Sequence, residues 1–107
     1  TYQQLGGLDE LFFAHMEEID LCWRARSMDK RIWVQPKSVV YHVGGGSLSR
    51  LSTKKTFLNF RNSLLMLTKN LSMMQAIWRI SLRLILDGFA GIYFLLLGKP
   101  MHTIAII

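Results

Sequence analysis

Three acids lie within four residues at Glu17-Glu18-Ile19-Asp20, and they are the residues best placed to do chemistry. Carboxylates at a helix start are held as anions by the unpaired backbone N–H groups there. An ionised carboxylate in a cleft can accept a proton from a sugar hydroxyl as that hydroxyl attacks an electrophile. The same acids also serve as ordinary complements to a helix dipole, so both readings stand at this point. His42 closes a run rich in β-branched residues and precedes Gly44-Gly45-Gly46. An imidazole at a strand end can bind a divalent metal or a phosphate, or simply bond to backbone. Glycines after it let backbone amides approach a phosphate, and serve equally as a hinge.

The elements that must carry these residues can be read from pattern. Gly6-Gly7 marks a turn into a short segment through Phe12-Phe13. Glu17 to about Met28 is expected to be a helix with Ile19, Cys22, Trp23 and Arg26 on one half-buried face, supported by an Asp20–Arg24 pair. Arg31–Val34 and Ser38–Val43 are expected to be strands, interrupted by Pro36. Helix follows: Ser52 or Thr53 caps one with an apolar line through Phe57, Phe60, Leu64, Leu67 and Leu71. Ser72 caps another, whose Gln75, Arg79, Arg83 and Asp87 form a narrow polar stripe. Gly88 and Gly91 are expected to loosen that helix, and Gly98-Lys99-Pro100 to end it.

Charge divides the chain. Residues 1–29 carry −4 and residues 30–107 carry +10 within the total of +6. A cationic, half-apolar tail suits phosphates or anionic lipid head groups. Nucleic acid fits worst, because the basic residues are interleaved with long aliphatic runs and no nucleic-acid module is present. The single cysteine, Cys22, excludes an intramolecular disulfide framework and a four-cysteine zinc site, and fits a packing role in a reducing compartment. The apolar share excludes intrinsic disorder. The eleven apolar residues between Asp87 and Lys99 fall short of the roughly 20 that span a bilayer. Trp78 beside the cationic stripe points to the membrane interface instead. No signal-peptide pattern is visible at the N-terminus, and both ends read as cut from a longer chain.

Four segments occur in order: Gly6-Gly7-Leu8-Asp9-Glu10-Leu11-Phe12-Phe13, then Glu17 through Arg24, then Ile32 through Ser47, then Asn59-Phe60-Arg61-Asn62. Together they resemble the C-terminal part of a family 2 glycosyltransferase, of the rhamnosyltransferase-like bacterial kind that builds surface polysaccharides. The resemblance covers about residues 5–70. It implies an α/β fold, the C-terminal portion of a GT-A (Rossmann-like) architecture with short strands, in which residues 1–52 form the acceptor and base side. Residues 53–107 would form a basic amphipathic extension at the membrane interface through Trp78, Arg79 and Arg83.

The resemblance also implies roles. The second acid of the pair, Glu18, would be the general base, with Glu17 beside it, although the family more often has aspartate there. His42 would help hold the Mg²⁺ or Mn²⁺ that binds the donor diphosphate. Asp9 and Asp20 would lie on the acceptor side, and Arg61, Gly44 and Gly45 would face phosphate. The partners implied are a nucleotide-diphospho-sugar, a glycan or lipid-linked acceptor and an anionic membrane, with the protein peripheral on the cytoplasmic face of the bacterial inner membrane. The family's Asp-x-Asp metal motif lies in a nucleotide-binding half that precedes this region, and no such triplet occurs in the 107 residues. The piece alone is therefore expected to be inactive. The competing expectation is a non-catalytic membrane-surface module built on the basic helices.

Overall fold

A computed structural model describes residues 1–41, 49 and 52–107. Two short 3₁₀ turns, Gln3–Leu5 and Glu10–Phe12, lead into α1 (Glu17–Ser27); α2 (Thr53–Asn70), α3 (Met73–Leu96) and α4 (Pro100–Ile104) follow. The α2 helix is the shared support: it packs on α1, on α3 and on α4, while α4 folds back onto α3.

The helix ends are chemically marked. Glu17, Glu18 and Asp20 fill the first turn of α1, with Arg24 and Arg26 in its last, each sign matching the dipole at its end. Asp29 takes a left-handed φ of 55° after the last turn, and Lys30 N–H returns to the Ala25 carbonyl at 3.0 Å, closing the helix in a Schellman arrangement. Gly98 does the same for α3 at φ 68°, with Lys99 N–H on the Phe94 carbonyl at 2.9 Å, and Pro100 then opens α4. Ser52 and Ser72 occupy the cap positions of α2 and α3, though neither hydroxyl makes a capping bond. The α3 helix runs unbroken through Gly88 and Gly91. The buried Gly91 is where α4 approaches, its carbonyl accepting from Thr103 Oγ1 at 2.9 Å.

The expected α/β fold is not found. Every regular element among the described residues is helical, and there is no strand or sheet. Residues 31–34 and 38–41 are without regular structure. A strand exists only by pairing, and β-propensity records how well a side chain fits a half-buried pleated surface. Neither condition is met here: Trp33 is 80% exposed, and Val34, Val39, Val40 and Tyr41 likewise face outward. Val43, the end of the second expected strand, lies outside the described residues, as do His42, Gly44 and Gly45.

Two buried faces also differ from the apolar lines. The α1 helix turns Asp20 and Ala25 inward, while Ile19 and Cys22 are exposed, in place of the packing role expected of Cys22. In α2 the fully buried residues are Leu58, Asn62 and Ser63; of the expected apolar line, Phe60, Leu64, Leu67 and Leu71 are half-buried and Phe57 stays 48% exposed. The buried polar groups are placed by pairing, Asp20 with α2 and Asn62 with the loop before α1.

The enclosed core is small: Phe12, Ala25 and Leu58 are the buried hydrophobic residues among those described. The radius of gyration is 16.2 Å, against about 13 Å for a compact chain of this length. Much of α3 faces outward, including Met73, Met74, Ile77, Trp78, Ile85 and Phe89.

Candidate functional site

The acids of α1 meet different fates. Asp20 is fully buried. Its Oδ2 accepts from Arg24 Nε at 2.8 Å, and its Oδ1 accepts from Asn70 Nδ2 at 2.9 Å and from Lys69 Nζ at 3.2 Å. Arg24 also donates to the carbonyls of Leu5 and of Gly7, the latter at 2.8 Å, tying the N-terminal turn to α1. Lys69 continues to Asp9. Asp9 caps the second 3₁₀ turn by accepting from Leu11 N–H at 2.9 Å. Asp9 and Asp20, separate in sequence, are thus joined through one lysine of α2.

The electrostatics follow from these bonds. The Lys69 ammonium, and after it the Leu11 N–H, lower the Asp9 pKa from its ordinary 3.8. Burial pushes the Asp20 carboxyl up, but the hydrogen bonds from Asn70, Arg24 and Lys69 outweigh it and the net shift is downward. Burial likewise opposes the charge on Lys69, and its bonds to Asp9 and Asp20 reverse that, raising its pKa above 10.5.

Acids with lowered folded pKa values contribute stability that is complete above their unfolded value and lost as pH falls through the folded one. A lysine with a raised pKa contributes stability below its unfolded value, lost as pH rises through the folded one. Urea unfolding of the full-length protein should therefore show an α1–α2 joint of constant stability through neutrality. It should weaken below about pH 4 and again above about pH 10. An acid limb beginning near pH 6 would point to a histidine instead of these carboxylates.

Glu18, two residues before Asp20, is exposed and makes no side-chain hydrogen bond or ion pair among the described residues. Glu17 is half-buried, and its Oε2 is enclosed without a partner among the described residues, as are His15 Nε2 and Asn62 Oδ1. The approach to this first turn is held from α2. Asn62 Nδ2 lies 2.8 Å from the carbonyls of Phe12, Ala14 and His15, and Arg61 Nη2 donates to the Leu11 carbonyl at 2.7 Å. Arg61, expected to face phosphate, is thus engaged with backbone.

A pocket of about 450 Å³ opens beside this joint, lined by Leu5 through Glu10 with Arg24 and Lys69. Its wall carries both Asp9 and cationic groups, whereas Glu17 and Glu18 do not line it. The expected membrane-facing residues lie elsewhere, on α3. Trp78 is 72% exposed and Arg79 is exposed, while Arg83 turns inward to Asp87 at 2.6 Å, its guanidinium 5.3 Å from the centre of the Phe60 ring. No helix among the described residues is long and apolar enough to cross a membrane.

Among the described residues no group of three or more His, Cys, Asp or Glu side chains could hold a metal ion. His42, the residue expected to help hold Mg²⁺ or Mn²⁺, lies outside the described residues. Pattern reading missed Lys69, Asn70 and Asn62. Asn62 stood inside a quoted motif, but nothing in its spacing marks a buried amide. No family model, curated protein or solved structure matches the chain.

Proposed function

We propose that the chain is the base-bearing segment of an inverting glycosyltransferase, with Glu18 as general base. The observation that carries this reading is the contrast within one helical turn. Asp20 is buried and fully partnered, whereas Glu18 is presented to solvent with its carboxylate uncommitted. The ordered motifs from Gly6 to Asn62 supply the resemblance that gives this carboxylate a reaction. The reading makes no use of an α/β sheet.

In the proposed reaction, a Glu18 oxygen takes the proton of an acceptor hydroxyl as the hydroxyl oxygen bonds to the anomeric carbon of a nucleotide-diphospho-sugar. The bond from that carbon to the diphosphate oxygen breaks, and the nucleoside diphosphate leaves with the electron pair. One displacement inverts the anomeric centre and needs no covalent intermediate. Asp20, with Arg24, Lys69 and Asn70, keeps α1 seated on α2 beneath the reacting group. The acceptor sugar would sit against Asp9. The divalent metal that the resemblance implies, Mg²⁺ or Mn²⁺, would be held in part by His42, which lies outside the described residues. The test is release of nucleoside diphosphate from sugar donors by the full-length protein, with and without Glu18.

The exposed row on α3 supports a second element of the proposal. Trp78 and Arg79 lie among Met73, Met74 and Ile77 on the outside of that helix, and residues 30–107 carry +10. Such a surface suits the anionic cytoplasmic leaflet, where a lipid-linked acceptor is presented. Liposome co-sedimentation should require anionic lipid and fade with added salt. Equal binding to neutral vesicles would remove the electrostatic part. Should the full-length protein bind such vesicles and show no transfer, the chain would be a membrane-surface module without catalysis.

A further inference from the structure

The backbone that leads into Glu17 and Glu18 uses conformations that L-residues avoid. Phe13, His15 and Met16 have φ values of 60°, 71° and 76°. Such a run persists only where its surroundings over-determine it. Here the constraint comes from two adjacent residues of α2. Asn62, fully buried, directs one amide nitrogen at three carbonyls, those of Phe12, Ala14 and His15, each at 2.8 Å. Arg61 holds the carbonyl of Leu11 at 2.7 Å. Four carbonyls within five residues are thereby fixed from a helix some fifty positions away.

This arrangement is not what stability alone would favour. The Asn62 nitrogen has two hydrogens for three acceptors, and its Oδ1 is buried with no donor among the described residues. A buried polar atom left unpaired costs free energy. Two further orphans, His15 Nε2 and Glu17 Oε2, belong to the same approach. Met16, the last left-handed residue, is the N-cap of α1 and accepts from Asp20 N–H at 2.9 Å. Its conformation sets the direction in which α1 departs, and with it the aim of a carboxylate two residues later.

We infer that Asn62, assisted by Arg61, is a positioning residue for the general base: it fixes the Leu11–Met16 loop and so holds Glu18 in its reactive orientation. This inference rests on the reading of Glu18 as base. Asn62 acts through the loop and contacts no reacting atom.

The experiment uses the full-length protein and two readouts. Hydrogen exchange reads the loop directly. Asn62→Ala should lose at least about tenfold in amide protection at Phe13, Ala14 and Asp20, whose N–H groups are bonded to the carbonyls of Glu10, Phe12 and Met16, while the rest of α1 and α2 keeps theirs, and Arg61→Ala, a milder variant, should lose less at the same amides. Leu58→Ala, a core truncation one turn earlier on the same buried face, should not single out these three amides.

Turnover is read as nucleoside diphosphate release from UDP-, GDP- and dTDP-sugars with a bacterial lipid-linked glycan fraction as acceptor. Asn62→Ala should lower kcat by about tenfold or more with KM little changed. The double variant Glu18→Gln/Asn62→Ala should be no slower than Glu18→Gln alone, whereas Leu58→Ala should multiply with Glu18→Gln. Unchanged protection at Phe13, Ala14 and Asp20, uniform loss along both helices, or simple multiplication of the Asn62 and Glu18 effects would each overturn the inference. Wild-type turnover in Glu18→Gln would instead overturn Glu18 as base, and the exchange result would still report the loop separately.

Discussion

Replacing Glu18 with glutamine in the full-length protein should lower turnover by about 10²- to 10⁴-fold, the range a positioned general base contributes. The amide keeps the size and hydrogen-bonding reach of the carboxylate but cannot accept the proton. Because Glu18 carries no internal hydrogen bond or ion pair among the described residues, the change should leave the fold alone. Donor affinity, measured by calorimetry with the nucleotide-sugar, should therefore stay within about twofold, so that the loss falls on kcat. Glu18→Asp should retain part of the activity, since aspartate is the commoner residue in the family that the motifs resemble. An equal loss of donor affinity would mean that Glu18 binds rather than deprotonates.

The second large effect is expected at Asp20, and on stability. Asp20→Ala removes the acceptor for Arg24, Asn70 and Lys69 at once, inside a fully buried site. Breaking one side of a buried, hydrogen-bonded ionic cluster costs about 3–5 kcal/mol, because the remaining charges lose their compensation. Lys69 keeps Asp9, and Arg24 keeps the carbonyls of Leu5 and Gly7, which places the expected value near 3 kcal/mol by the same measure. Asp20→Asn should cost less, since it can still accept from the Arg24 guanidinium. Urea unfolding checks both, and a loss under about 1 kcal/mol for Asp20→Ala would show that the cluster is not what seats α1 on α2.

Much of the helical framework was legible in the sequence, for local reasons. The acids and arginines at the two ends of α1 and Gly98-Lys99-Pro100 each act within a few residues of where they stand, and Ser52 and Ser72 mark the starts of α2 and α3 without making a capping bond. What failed depended on partners distant in sequence. Trp33, Val34 and Val39–Tyr41 have strand-forming side chains, but a strand also needs a neighbour, and the described residues supply none. The apolar lines through Ile19 and Phe57 missed the buried polar positions, because Asp20 bonds Lys69 and Asn70 of α2 and Asn62 bonds carbonyls of the loop before α1. Gly91 looked like a weak point in α3 and is instead where α4 docks.

The candidate site divides along the same line. Glu18 was chosen as base by resemblance, from an acidic pair that the residues alone could mark, and the structure adds that it is exposed two positions before a buried Asp20. The loop clamp could not be read, because it joins Asn62 to carbonyls, which carry no residue identity. Asp9 was placed on the acceptor side by resemblance, and the structure adds that it caps a 3₁₀ turn and binds Lys69 at the edge of a polar pocket.

The central claim, displacement at an anomeric carbon assisted by one base, is tested most directly by the configuration of the product. The full-length protein would be supplied with nucleotide-sugars of defined anomeric configuration and a lipid-linked glycan fraction, and the anomeric proton coupling of the transferred sugar read by NMR. The account predicts a glycoside of inverted configuration whose formation falls by at least about 10²-fold in Glu18→Gln. A product of retained configuration, or inverted product formed at the same rate without the Glu18 carboxylate, would contradict it.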